Sequence, residues 1–144
     1  MTIRFTVPGK PMGKQRPRFN GRYKTPYTPD ATVAYEELTR FRYKEASYGL
    51  PMFQGGVYVE IIAYFPVPQG YSKQKHKDCY AGRVRPTGKP DADNIAKIVC
   101  DALNGYAWKD DSCVVDLHVI KRYVPSENGS AHVDVFIGDL GVAE

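Results

Sequence analysis

Four segments of this chain alternate apolar and polar residues strictly enough to limit what it can fold into. Ile3/Phe5/Val7, Val57/Val59/Ile61/Ala63/Phe65, Cys113/Val115/Leu117/Val119 and Val133/Val135/Ile137 place their apolar side chains at odd positions. A period of two sends successive side chains to opposite faces of a strand, so each segment predicts a strand with one buried face. Even positions such as Arg4, Glu60, Asp116, His118 and Asp134 are polar. That is the habit of an antiparallel or mixed sheet covered on one side only.

Two helices are expected to supply the cover. The first opens at Thr28-Pro29-Asp30, a cap candidate followed by proline at the first helical position. Ala31, Ala34, Leu38 and Phe41 then recur at helical spacing, and Gly49 marks the end. The second starts near Asp93 and runs to Gly105, with Ile95, Ile98, Val99 and Ala102 as its apolar stripe. Gly105 suits the left-handed closing position. The expected order is β-α-β-α-β-β: an α+β fold with a single mixed or antiparallel sheet and two helices packed on one face. A chain of 144 residues suits one domain, residues 1–144, with one core. Residues 8–27 and 66–90 remain as long loops, and loops of that length usually carry function or lack order.

Hydrophobic residues make up 42% of the chain, which excludes a disordered tail. No apolar run approaches the roughly 20 residues of a membrane-spanning helix, and Met1-Thr2-Ile3-Arg4-Phe5 lacks the layout of a signal peptide. Cys79, Cys100 and Cys113 form no CxxC pair, so free thiols in a reducing cytoplasm are expected. The net charge of +4 conceals a segregation. Residues 1–50 carry ten Lys/Arg against four acids, and residues 66–90 carry six against one. Residues 91–144 reverse this, with four against ten. A mildly basic soluble protein would account for the total. A polyanion partner met by the first two stretches, with a metal held by the third, accounts for the segregation.

The acids of the third stretch gather around one helix: Lys89-Pro90-Asp91-Ala92-Asp93-Asn94-Ile95-Ala96-Lys97, then Trp108-Lys109-Asp110-Asp111. Each piece alone has a commonplace explanation. Asp93 could cap the helix, Asp93 and Lys97 could form an i,i+4 surface pair, and Asp110-Asp111 could be a turn. Together they suit a metal. Asp93, Lys97 and Asp101 lie along a stripe away from the buried face. Asp111 is in phase with Cys113, Val115 and Leu117, so it points to the helix side of the sheet, whereas Asp110 points away. Mg²⁺ prefers carboxylate and water oxygens and usually takes one or two carboxylates plus substrate phosphate. Without a cation, clustered carboxylates would raise each other's pKa. A neighbouring lysine stabilises charge building on the phosphate.

The run Pro90-Asp91-Ala92-Asp93-Asn94, Lys97, Asp101-Ala102-Leu103 and Trp108-Lys109-Asp110-Asp111-Ser112-Cys113-Val114-Val115-Asp116 resembles the RusA family of Holliday junction resolvases, small enzymes common in phages and prophages. The specific part is the combination of D-x-D-N, a lysine four residues after the second Asp, and W-x-D-D-x-x-V-V. It covers Pro90 to Tyr123. The resemblance implies a phage- or prophage-derived RusA-like endonuclease domain acting in recombination and repair. It implies a homodimer that binds branched DNA, the four-way junction, and resolves it by paired symmetric nicks using Mg²⁺, with Mn²⁺ able to substitute. Its catalytic, metal-holding acids fall on Asp91, Asp93 and Asp111, and its catalytic lysine on Lys97. The chain departs from the family in a longer loop before Asp91 and in Pro90, where a basic residue can occur. DNA contacts are expected from the two basic loops: Lys14, Arg16 and Arg18 in the first, and Lys73, Lys75, Arg83, Arg85 and Lys89 in the second.

Other features carry less. His76 and Cys79 are half a zinc motif with no second pair. His118 and His132 stand beside Asp116 and Asp134 on even strand positions, where a wet polar face is the simpler expectation. Trp108 is expected as a packing anchor. The alternative function is a non-catalytic branched-DNA-binding protein whose acids are caps and surface pairs. A small metal-dependent phosphodiesterase would not need two long basic loops.

Overall fold

Val57–Phe65 has the most regular alternation, and its odd residues from Val57 to Phe65 are all buried. A computed structural model describes residues 1–15, 18–19, 26–27 and 30–140. In chain order its elements are β1 (Thr2–Pro8), β2 (Arg18–Phe19), β3 (Pro26–Tyr27), α1 (Asp30–Ala46), β4 (Val57–Phe65), α2 (Lys73–Tyr80), α3 (Ala92–Leu103), a 3₁₀ turn (Asp111–Cys113), β5 (Val114–Tyr123) and β6 (His132–Asp139). The main sheet has the order β1-β6-β4-β5. β6 runs antiparallel to both β1 and β4, while β5 runs parallel to β4. The class is α+β and the sheet is mixed, as the strand pattern implies. β2 and β3 form a separate two-stranded ribbon within the first basic loop, too short to leave a period in the sequence.

Helices α1 and α3 pack on each other, α1 against β1 and α3 against β5. Between these layers lie Val7, Val59, Ile61, Ile95, Ile98, Val99, Leu103, Trp108, Val133 and Ile137, all fully buried. Each such side chain contributes about 1.5–3 kcal/mol by leaving water. α3 buries the stripe its sequence proposes, Ile95, Ile98, Val99 and Ala102, and Gly105 closes it at φ +81°. Among the described residues no helix covers the other sheet face, which is half-wet. There His132 stacks on Tyr64 at 4.5 Å, Arg4 lies over Phe136 at 4.9 Å, and His118 Nε2 is 2.9 Å from Asp116.

Three expectations need correction. The sequence proposes two helices, and the fold has a third, α2, inside the 66–90 loop. Ser72 caps it by accepting from the Lys75 N–H at 3.2 Å. Only Cys79 of α2 is buried, so no apolar stripe announced it. α1 buries Thr32, Tyr35, Thr39 and Tyr43 rather than Ala31, Ala34 and Phe41. Tyrosine supplies the bulk: Tyr43 meets Phe5 edge-on at 5.9 Å, and Thr39 satisfies its hydroxyl on the Tyr35 carbonyl at 2.8 Å. The cap residues Thr28 and Pro29 lie outside the described residues. Finally, β5 does not bury its odd row: Val115 and Leu117 are 61% and 44% exposed. β5 is an edge strand, and α3 covers only part of it. Among the described residues no helix is long and apolar enough to cross a membrane.

The early part of the first basic loop is bound to the start of α3. The Lys14 N–H donates to the Asn94 carbonyl at 3.0 Å. A Cβ at Gly13 would stand 2.8 Å from Pro90 Cβ and 3.0 Å from Asn94 Cβ, closer than packed carbons approach. Gly13→Ala should therefore lower stability by about 1–3 kcal/mol through overpacking, read from urea unfolding. Gly70→Ala, whose Cβ meets nothing within 4 Å, should change it little.

Candidate functional site

The acids are positioned by the two ends of one crossover. At its α3 end, Asp91 occupies the N-cap position but its side chain makes no cap hydrogen bond, and Asp93 follows in the first turn. Neither is drawn into an ion pair among the described residues. One turn on, Lys97 is exposed and sits 3.4 Å from Asp101. At the β5 end, Asp111 opens the 3₁₀ turn and is half-buried. Trp108, fully buried, donates its indole N–H to Asp111 Oδ1 at 3.0 Å. A buried indole needs such an acceptor. Trp108 is the expected packing anchor, and it also fixes one carboxylate oxygen and leaves the other to act.

Asp93, Lys97, Asp101 and Asp111 line one groove of about 650 Å³ together with Ala96, Cys100, Val115, Leu117 and Val119. Asp111 thus faces the helix side, from a 3₁₀ turn rather than from the strand itself. Asp91 lies just before the groove rather than among its lining residues. Asp110 is spent locally: it accepts from the Ser112 N–H at 3.0 Å. That backbone hydrogen bond holds its carboxyl below the usual range.

The groove is electrically negative. The Cys100 thiol is pushed up to about 12, first by burial and then by Asp111 and Asp101, with Lys97 opposing. Among the described residues no three His, Cys, Asp or Glu side chains converge into a ready-made metal cage. The donors nonetheless fit Mg²⁺ by chemistry, because they are carboxylate oxygens and this ion keeps several waters and takes substrate phosphate.

The expected DNA contacts divide. Lys14 is turned inward, with its ammonium 3.1 Å from Glu36 and 3.2 Å from Asp101. It is already held by two carboxylates, which an outward-reaching loop cation would not be. Burial alone would lower its pKa, but hydrogen bonds to Glu36 and Asp101 raise it above the ordinary 10.5. Lys73 and Lys75 lie on α2, and Lys75 stands 3.9 Å over the Tyr71 ring. Arg83 is 3.5 Å from Asp78, Arg85 donates to the Lys121 carbonyl at 3.2 Å, and Lys89 is exposed. Arg16 lies outside the described residues, and only the backbone of Arg18 is described. The Lys14–Glu36–Asp101 network is not apparent from the sequence. Its one sequence signal is Asp101, four residues beyond Lys97 on the same helix stripe.

Comparison with known proteins adds a second kind of finding. The sequence pattern of the family described as Endodeoxyribonuclease RusA matches residues 8–137. The chain is also 37% identical over 128 residues to the uncharacterized protein YqaN of Bacillus subtilis (strain 168), covering 84% of this chain and 87% of that protein.

Replacing Lys14 by Met leaves Glu36 and Asp101 half-buried and facing each other. The expected loss is about 1–3 kcal/mol at neutral pH, measured by denaturant unfolding. A raised pKa stabilises the fold fully below the unfolded value and ceases to do so as pH rises through the folded one. The gap between wild type and Lys14→Met should therefore hold from pH 7 upward and narrow only above 10.5.

Proposed function

Because this chain belongs to the RusA endodeoxyribonuclease family, we propose that it is a Mg²⁺-dependent, structure-selective nuclease that resolves four-way DNA junctions by paired nicks in recombination and repair. One observation supports this above the rest. Asp93 and Lys97, a turn apart on α3, share a groove with Asp111, which arrives from the far end of the crossover. Residues separated in sequence meet where a phosphate can be held.

Asp93 and Asp111, with Asp91 beside them, would hold the ion. When bound, Mg²⁺ supplies positive charge against the scissile phosphate and acidifies the attacking water. Lys97 adds an ammonium where negative charge develops on phosphorus oxygens. Asp101 holds that ammonium near the groove wall, and Trp108 keeps Asp111 from swinging away. Hydrolysis joins the water oxygen to phosphorus and breaks the bond to the 3′ oxygen. The products are a 5′-phosphate and a 3′-hydroxyl.

Lys73, Lys75, Arg83, Arg85 and Lys89, with Arg16 and Arg18, would neutralise backbone phosphates, so affinity falls steeply with salt. Junction shape, rather than base sequence, then sets selectivity. Nicks on two opposed strands need two sites related by a twofold axis, which a homodimer provides.

The test is nicking of a synthetic four-way junction and a matched linear duplex, each with Mg²⁺ and with EDTA. Paired nicks near the crossover that require Mg²⁺, with the duplex spared, are expected. Asp93→Asn should abolish nicking while junction binding persists. Lys97→Ala should slow the cleavage step about 100-fold or more, the scale of losing one charge-stabilising donor, with binding little changed. Tight junction binding without cleavage under any divalent metal would instead mark a branched-DNA-binding protein.

A further inference from the structure

Besides the acidic groove, the sheet carries a second cleft of opposite chemistry. β4 and β5 run parallel and end together, with Phe65 opposite Tyr123. Both side chains line a cleft of about 300 Å³, together with Pro66, Pro86 and two lysines, Lys10 and Lys89. Among the described residues no carboxylate lines it. Phe65 is buried and Tyr123 half-buried, while both lysines are exposed. The Tyr123 phenol is raised above its ordinary pKa, first by burial, which keeps it neutral. The cleft is therefore positive, and its walls are flat rings.

One wall of the cleft is tied down. Arg85 donates to the Lys121 carbonyl at 3.2 Å, and the Lys121 ammonium donates to the Gly88 carbonyl at 2.6 Å while lying 5.4 Å from the Phe65 ring. These contacts fasten residues 85–88 to the end of β5. Lys121 is spent in that wall, and the exposed lysines at the cleft are Lys10 and Lys89. Their places in the chain matter. Lys10 stands near the start of the first basic loop and Lys89 near the end of the second. Lys89 is two residues before Asp91, so their Cα atoms lie at most about 7 Å apart. A strand with one phosphate at the acids can reach the cleft with a neighbouring nucleotide.

We propose that this cleft receives one unpaired nucleotide of a bound DNA strand, with its base against Tyr123 and Phe65 and its phosphate between Lys10 and Lys89. A nucleotide is the ligand that uses both features at once. Its base stacks on an aromatic face whatever its identity, and its phosphate takes lysine as a point charge. An acidic peptide would use the charge and leave the rings idle, and an apolar ligand would do the reverse. Paired bases are locked in their stack, and a base already unpaired leaves it at least cost. The centre of a four-way junction, where strands exchange, offers such bases. The proposal rests on the nuclease reading for its biological purpose, and it adds a recognition site separate from the acids.

Photo-crosslinking of the full chain tests this without any need for cleavage. One 5-iododeoxyuridine is placed beside the crossover of a four-way junction, in a matched duplex and in a single strand, each bound in EDTA. Irradiation should join the junction and the single strand to Tyr123 or Phe65, located by mass spectrometry of the peptides, and should leave the duplex unjoined there. Lys10→Glu, at an exposed position, and Tyr123→Leu should each weaken single-strand binding at least about 10-fold, read by fluorescence anisotropy at fixed salt. Tyr48→Leu, at an exposed tyrosine outside the cleft, should not. A single strand left unbound, a cross-link found only outside the cleft, an equal yield there from duplex, or unchanged affinity in either folded variant would each overturn the proposal. So would thymidine 5′-monophosphate displacing the strand at equal concentration, which would mark a site for free nucleotides. Cross-links at Tyr123 in a protein that nicks no junction would leave the cleft standing and remove the nuclease reading. Junction nicking with the cross-link elsewhere would do the reverse.

Discussion

Parallel pairing of β4 with β5 is the constraint from which the site follows. Two parallel strands cannot be joined by a turn, since the chain must return to the starting end before it can run alongside itself. Residues 66–113 make that return, and they carry α2, the basic loop, α3 and the 3₁₀ turn. Asp93 stands at the start of α3 and Asp111 at the mouth of β5, so both ends of the helical return meet beside one strand. An antiparallel hairpin in the same place would have brought no such groove into being.

Legibility in the sequence tracked burial. β1, β4 and β6 were plain because each buries an unbroken apolar row at odd positions, Ile3 to Val7, Val57 to Phe65 and Val133 to Ile137. β5 shows the same letters, yet its row is partly wet. A period of two reports which side a residue takes and says nothing of how far a helix reaches over it. α1 misled for a chemical reason, since its inner face is threonine and tyrosine and an aliphatic count follows the wrong stripe. α2 buries one cysteine and was silent. Around the acids, motif spacing picked out Asp93, Lys97 and Asp111. The Lys14 contact with Asp101 joins residues far apart in sequence, which no local pattern can report.

The groove is built from opposed tendencies. Its floor is apolar and its rim is acidic, so it repels anions while offering them a shaped surface. Lys97 and Lys14 offset part of that charge through a shared carboxylate, Asp101. Lys14 is held between Glu36 of α1 and Asp101 of α3. Lys97 is exposed and can exchange Asp101 for another anion.

The seam at Gly13 couples two parts of the molecule mechanically. The backbone of Lys14 is hydrogen-bonded to the first turn of α3, and Gly13 touches Pro90 and Asn94. The early part of the first basic loop and the turn that bears Asp91 and Asp93 therefore hold each other in register. A change of side chain in that short seam is felt directly beside the carboxylates, through backbone contact and not through the core.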